Sequence, residues 1–189
     1  MKRLLAVSGA LLTLAVLGCS DINRSTTPVE LIMTVVTQPI SRFDIAPNAA
    51  GCSQSIATVQ IESRLLNTTV TNTSLLDVRI THYRVTYTRT DGGHQVPAAF
   101  DRSIDFLITA GSTTSDVLFH LADFGDTFNQ APFAALLPQN GGHDPETGLS
   151  VVKMNINLQI FGETLAGDRV TASTVIPLDV CYNCGGCQQ

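Results

Sequence analysis

An all-β protein, folded as an antiparallel two-sheet sandwich of about seven or eight strands, is the fold class that the sequence predicts. Three observations carry the prediction. Apolar and polar residues alternate with period two along several separate segments, which is the spacing of a strand with one buried face. Clusters of Gly, Asn, Asp and Ser punctuate those segments and supply the turns. The composition points the same way: there is no Trp, only Lys153 follows Lys2, and Thr, Val and Ile are abundant. β-branched side chains fit a pleated, half-buried surface better than a helix.

Taken in order, Leu31 to Val36 is apolar on both sides and predicts a buried strand. Ala57, Val59, Ile61 and Leu65 share one face, with Thr58, Gln60, Glu62 and Arg64 on the other. Between Leu75 and Arg89 the apolar set changes parity: Leu76, Val78 and Ile80 are followed by Tyr83, Val85 and Tyr87. A single strand buries both sets only through an inserted residue, so a β-bulge or sheet-switching bend is expected near Thr81 and His82. Ile104, Phe106 and Ile108 form a shorter strand, and Val117, Phe119 and Leu121 one with a less polar outer face.

The cleanest alternation is Val152, Met154, Ile156, Leu158 and Ile160 against Lys153, Asn155, Asn157 and Gln159. Val170, Ala172, Thr174, Ile176 and Leu178 make the last strand, joined to it by a hairpin at Ala166-Gly167-Asp168. Ala122 to Gly148 shows no alternation. Within it Gln130 to Leu137 predicts a helical turn or two ended by Pro138, and Asn140 to Gly148 a loop. The number and spacing of strands suit a sandwich of immunoglobulin-like kind, with a barrel as the other all-β solution.

The N-terminus has a different character. Lys2 and Arg3 precede the uncharged, apolar run Leu4 to Leu17, which closes on Val16-Leu17-Gly18-Cys19. The run is shorter than the roughly 20 residues that span a bilayer and reads as the core of a signal peptide. The four-residue ending resembles the lipobox of bacterial lipoproteins, with Cys19 at the lipidated position. The resemblance implies a signal peptide over 1–18, a lipidated Cys19 followed by a polar, Pro-containing tether over 19–30, and a β-sandwich domain over 31–189 ending in a Cys-rich tail. Two or three acyl chains, each methylene worth about 0.8 kcal/mol, anchor a protein stably where one chain does not. The implied location is the bacterial cell envelope, lipid-anchored. Ser20 in place of an aspartate after the cysteine favours the outer membrane, on its periplasmic or surface side.

Without Lys2 and Arg3 the remaining chain carries 9 basic and 16 acidic residues, a formal charge of −7. A surface of that sign with no Lys/Arg cluster argues against nucleic acid and against anionic headgroups as partners. From Cys19 onward there are 171 residues, enough for one domain with its own core.

Four further cysteines are Cys52 and the C-terminal Cys181, Cys184 and Cys187, the last three in CYNCGGC. Outside the cytoplasm an even set predicts disulfides, and four cysteines leave three connectivities open. A bridge from Cys52 to the tail closes a loop of about 130 residues, worth about 4–5 kcal/mol in the chain-entropy model. The competing chemistry is a four-thiolate metal site or a redox dithiol, but zinc knuckles use two separated Cys-x2-Cys pairs, and this chain has one crowded triplet. The ending Ile176-Pro177-Leu178-Asp179-Val180-Cys181 and the strand before it are similar to the endings of exported β-sandwich proteins. That similarity implies fold and stapling and brings no activity.

Nothing else in the sequence assembles a catalytic constellation. His82, His94, His120 and His143 fall in no metal-binding spacing. Asp123-Phe124-Gly125 spells a kinase metal motif without the glycine-rich loop or catalytic loop that gives it meaning. Asp116, Asp123 and Asp126 lack a calcium-loop spacing, and Asn67-Thr68-Thr69 and Asn72-Thr73-Ser74 read as turns. The expectation is a non-enzymatic, lipid-anchored structural or binding module with an envelope protein or glycan as partner. No metal or cofactor is expected, and a metal-binding or redox lipoprotein using the cysteine cluster is the second reading.

Overall fold

A computed structural model describes residues 27–36, 42–47, 56–67, 69, 73–114, 116–122 and 127–187. The expected leader over 1–18, Cys19, most of the tether and Cys52 lie outside the described residues. So do Asn72 and the segment from Asp123 to Asp126.

Eight strands form two sheets, with no α-helix among the described residues. They are β1 (Val29–Val35), β2 (Arg42–Asp44), β3 (Ile56–Leu65), β4 (Val78–Arg89), β5 (Phe100–Ile108), β6 (Val117–His120), β7 (Val151–Thr164) and β8 (Arg169–Cys181). The smaller sheet has the order β1-β3-β6 and the larger β2-β8-β7-β4-β5. All pairings are antiparallel except β2 with β8, which run parallel. The five-stranded sheet curls into a half-barrel.

Every alternating segment of the sequence contains a strand, and its predicted inner apolar residues lie in the core or, as with Leu65, Ile104, Phe106, Val117 and Ala172, pack partly buried against it. Ala57, Val59 and Ile61 of β3, and Val152, Met154, Ile156, Leu158 and Ile160 of β7, are each at most 1% exposed. Each aliphatic side chain of this size contributes about 1.5–3 kcal/mol by leaving water. Strand β1 differs from expectation, because only Val29 and Leu31 are buried and Met33 and Val35 are half-exposed. It is an edge strand, paired with β3 alone, so one side of it stays open. The segment after Gln130 forms a 3-10 turn, Phe133–Leu136, and Pro138 opens a second one, Pro138–Asn140, rather than ending helical structure. Proline suits a first-turn position because the N–H it lacks has no partner there.

The parity change in β4 is a bulge. His82 pairs with Phe161 and Ile80 with Gly162, which leaves Thr81 as the extra residue. Ile80 and Tyr83 both point inward as a result. Tyr83 packs edge-on against Phe119 of β6, with ring centroids 5.1 Å apart, and its hydroxyl donates to the His120 carbonyl at 3.3 Å. Tyr87 donates to the Leu121 carbonyl at 2.9 Å. Two tyrosines of the larger sheet thus pin the last strand of the smaller one.

Gly162 is what permits the close approach at the bulge. A Cβ there would lie 2.6 Å from the Arg79 carbonyl oxygen and 2.9 Å from Ile80 Cδ1. Gly162→Ala is expected to destabilise the fold by about 1–3 kcal/mol through backbone displacement, read as a lower urea midpoint at unchanged slope.

Candidate functional site

Among the described residues, two clusters of buried polar side chains hold down irregular chain. The first lies where β8 ends. Asp44 stands opposite Cys181 in the parallel β2–β8 pair and is 3% exposed. Beyond Cys181 the tail curls back through left-handed backbone at Asn183 (φ 51°), Gly185 (97°) and Gly186 (88°). Glycine enters that region without steric cost, and asparagine does so more readily than most residues. The curl turns its amides toward Asp44. One carboxylate oxygen accepts from Asn183 N at 2.8 Å and Ala46 N at 2.9 Å, the other from Cys184 N at 2.8 Å and Gly186 N at 3.0 Å.

Burial by itself raises the pKa of the Asp44 carboxyl, but the four N–H donors outweigh it and hold the group below the usual aspartate value. Cys181 and Cys184 form a disulfide across this curl, with Cα atoms 6.1 Å apart. Cys187 is also disulfide-bonded, with a partner outside the described residues, and its sulfur accepts from Asp44 N at 3.3 Å. The cysteine tail is therefore oxidised and wrapped around a carboxylate, and thiolate ligation of a metal would first require reduction.

The second cluster fastens the long segment before β7. Arg89, at the end of β4, makes a two-pronged contact with Asp91, at 2.7 and 2.8 Å, and reaches Asp144 at 2.8 Å. The side chains of Arg89, Asp91 and Asp144 are 1%, 2% and 0% exposed. Asp91 also accepts from Lys153 N and Gly93 N, and Asp144 from the amide and hydroxyl of Thr147. Burial raises the Asp91 pKa; the Arg89 guanidinium and these N–H groups overcompensate and bring it down to about 2. Asp144 Oδ1 is buried without a hydrogen-bond partner among the described residues. At the rim Glu146 accepts from the amides of His94 and Gln95, at 2.7 and 2.8 Å.

The histidines are used one by one. His82 stacks on Phe161, His120 lends its carbonyl to Tyr83, His94 its amide to Glu146, and His143 Nδ1 lies 2.7 Å from the Gly141 carbonyl. Asp116 accepts from Gln60, and Asn67 Oδ1 accepts from the Thr69 amide in the expected turn. Among the described residues no group of three or more His, Cys, Asp or Glu is placed to hold a metal ion. No helix among them is long and apolar enough to cross a membrane.

Sequence reasoning singled out Cys181, Cys184 and Cys187, which the structure gathers in one tail. It passed over Asp44, Arg89, Asp91 and Asp144. The only signal for the second cluster was an arginine and an aspartate two residues apart, closing a strand at a Gly-Gly turn. Comparison with protein-family models, curated proteins and solved structures gave no match.

Proposed function

We propose that this chain is a lipid-anchored module of the bacterial cell envelope, held through Cys19 and acting by binding or structure rather than catalysis. The observation that carries the reading is the oxidised C-terminal tail. Stable disulfides belong to compartments outside the cytoplasm, and a lipobox-like leader points to the same place. Two disulfides complete the proposal. Cys181 and Cys184 are spent on each other and Cys19 is reserved for lipid, so Cys52 is the partner we assign to Cys187.

The strand order supports an immunoglobulin-like sandwich. Labelled in immunoglobulin fashion, β1, β3 and β6 take the places of strands A, B and E, and β8, β7, β4 and β5 those of G, F, C and C′. Such a frame leaves broad sheet faces and end loops available to a partner.

Intact-mass analysis of the protein from its native envelope tests the anchor and the staples together. Expected are loss of residues 1–18, a diacylglyceryl-type mass on Cys19, and a polypeptide four hydrogens lighter than its fully reduced form. Cys19→Ala is expected to abolish palmitate labelling and release the protein from the membrane fraction. A free thiol at Cys52, or membrane association without Cys19, would overturn the corresponding half of the reading. The partner is sought by pull-down from envelope extract, where recovery of nothing above control would count against a binding role.

A further inference from the structure

We propose that the outer face of the five-stranded sheet, centred on Phe161, is a binding site for a neutral hexopyranose chain. This inference rests on the binding-module reading and names the chemistry of the ligand. Phe161 of β7 stands on the solvent side of the sheet, half-exposed. His82 of β4, directly opposite it in register, covers one face of its ring, with centroids 4.5 Å apart and planes 4° from parallel. The Arg84 guanidinium also lies over the ring, 5.9 Å from its centroid, and Thr171 of β8 is the cross-strand partner of Phe161 on the side away from β4.

A depression of about 380 Å³ lies beside Phe161, within the range of small-ligand sites. It is lined by Phe161 and His82 together with the polar groups of Thr81, Glu163, Arg169 and Thr171. An aromatic wall beside a carboxylate, a guanidinium and hydroxyls matches a pyranose ring, which has apolar C–H faces and a rim of hydroxyl groups. The ring stacks on the aromatic face while its hydroxyls exchange hydrogen bonds with groups that donate and accept.

From Phe161 the site continues along β7 through Gln159, Asn157 and Asn155, which point outward on alternate residues about 6.5–7 Å apart. Each is half-exposed. Asn157 is oriented by its bond to Thr88 Oγ1 at 3.1 Å, whereas the side-chain amides of Gln159 and Asn155 make no hydrogen bond among the described residues. A carboxamide both donates and accepts, which suits a sugar hydroxyl that does the same. A row of such amides running away from an aromatic wall fits a chain of sugar units better than a single one.

Charge decides against other polymers. Around Phe161 the face carries Arg79, Arg84 and Arg169 against Asp101, Asp105 and Glu163, which cancel. Arg79 is held by Asp105 and Arg84 by Asp101 through paired bonds of 2.7 to 3.2 Å, and Arg169 stands opposite Glu163 in register. Such a patch does not attract a phosphate backbone, and it matches an uncharged ligand.

The test titrates residues 20–189, exported to a periplasm so that its disulfides form, with chitohexaose, cellohexaose and maltohexaose. Saturable binding of at least one, with a dissociation constant at or below about 1 mM, is expected. Phe161→Ala should weaken it by about tenfold, the worth of one good aromatic contact. Asn157→Ala should weaken it as well, and Leu118→Ala, at an exposed position of β6, should leave it unchanged. Both Phe161 and Asn157 face solvent, so unchanged thermal midpoints separate loss of the site from loss of the fold. Absence of binding to all three oligosaccharides would overturn the proposal, as would binding indifferent to Phe161→Ala. If those titrations are silent while an envelope protein is recovered by pull-down, the glycan site fails and the binding-module reading stands.

Discussion

Replacing Asp44 with alanine is expected to destabilise the domain by about 3–5 kcal/mol and to free its C-terminal tail. The carboxylate accepts four backbone N–H groups, three of them from residues 183 to 186. A hydrogen bond to a charged group is worth about 1.5–3 kcal/mol, and four on one carboxylate sum to less than four separate bonds. Alanine leaves those donors without an acceptor in a tail already closed by the Cys181–Cys184 disulfide, which limits how they can turn to water. Guanidinium unfolding gives the free energy, and faster hydrogen exchange at Asn183, Cys184 and Gly186 shows whether the tail opens locally. Asp44→Asn should recover little, because its amide presents a donor to two of the donors. Unaltered exchange at those three amides in Asp44→Ala would remove the carboxylate as organiser of the tail.

Arg89→Leu is expected to cost about 3–5 kcal/mol, because it strips the countercharge from two carboxylates that have no access to water. The effect should exceed that of Arg64→Leu, whose pair with Glu30 is half in solvent and of the kind worth about 0–1 kcal/mol. The same cluster sets a pH dependence. The folded-state pKa of Asp91 is lowered to about 2 from 3.8, so the folded state binds this proton less readily than the unfolded chain. Its contribution of about 2 kcal/mol is complete above the unfolded pKa and is lost as pH falls from about 4 to about 2. Denaturation midpoints followed from pH 6 to pH 2 should show that loss in the wild type. In Asp91→Asn the part due to this group should vanish, and an unchanged acid profile there would assign the dependence elsewhere.

Gly93 explains why the cluster closes so tightly. A Cβ at that position would fall 2.5 Å from the Arg89 guanidinium. The Asp91-Gly92-Gly93 segment has the aspartate and glycines of a turn, and it is thus also the lid of an ion cluster. Sequence could not supply the second half of that statement, because Asp144 arrives from 55 residues away.

What the sequence determined by itself is whatever depends on local periodicity: the β class, seven of the eight strands, the hairpin at Gly167, and the bulge in β4. These follow from which side of a pleat each residue faces, and alternation records that directly. It also placed a cysteine at each end of interest: Cys19, in a run that resembles a lipobox, and the triplet Cys181, Cys184 and Cys187. Tertiary structure alone decided which residues meet. Strand β2 is three residues long and carries too little pattern to be read, yet it delivers Asp44 to the tail. Arg89 and Asp144, or Phe161 and His82, become neighbours only when the sheet order β8-β7-β4 is set and the segment after β6 folds back across its end. Partners distant in the chain leave no periodic trace in it, since their pairing is fixed by register between strands and by the burial of charge, which only the closed core enforces.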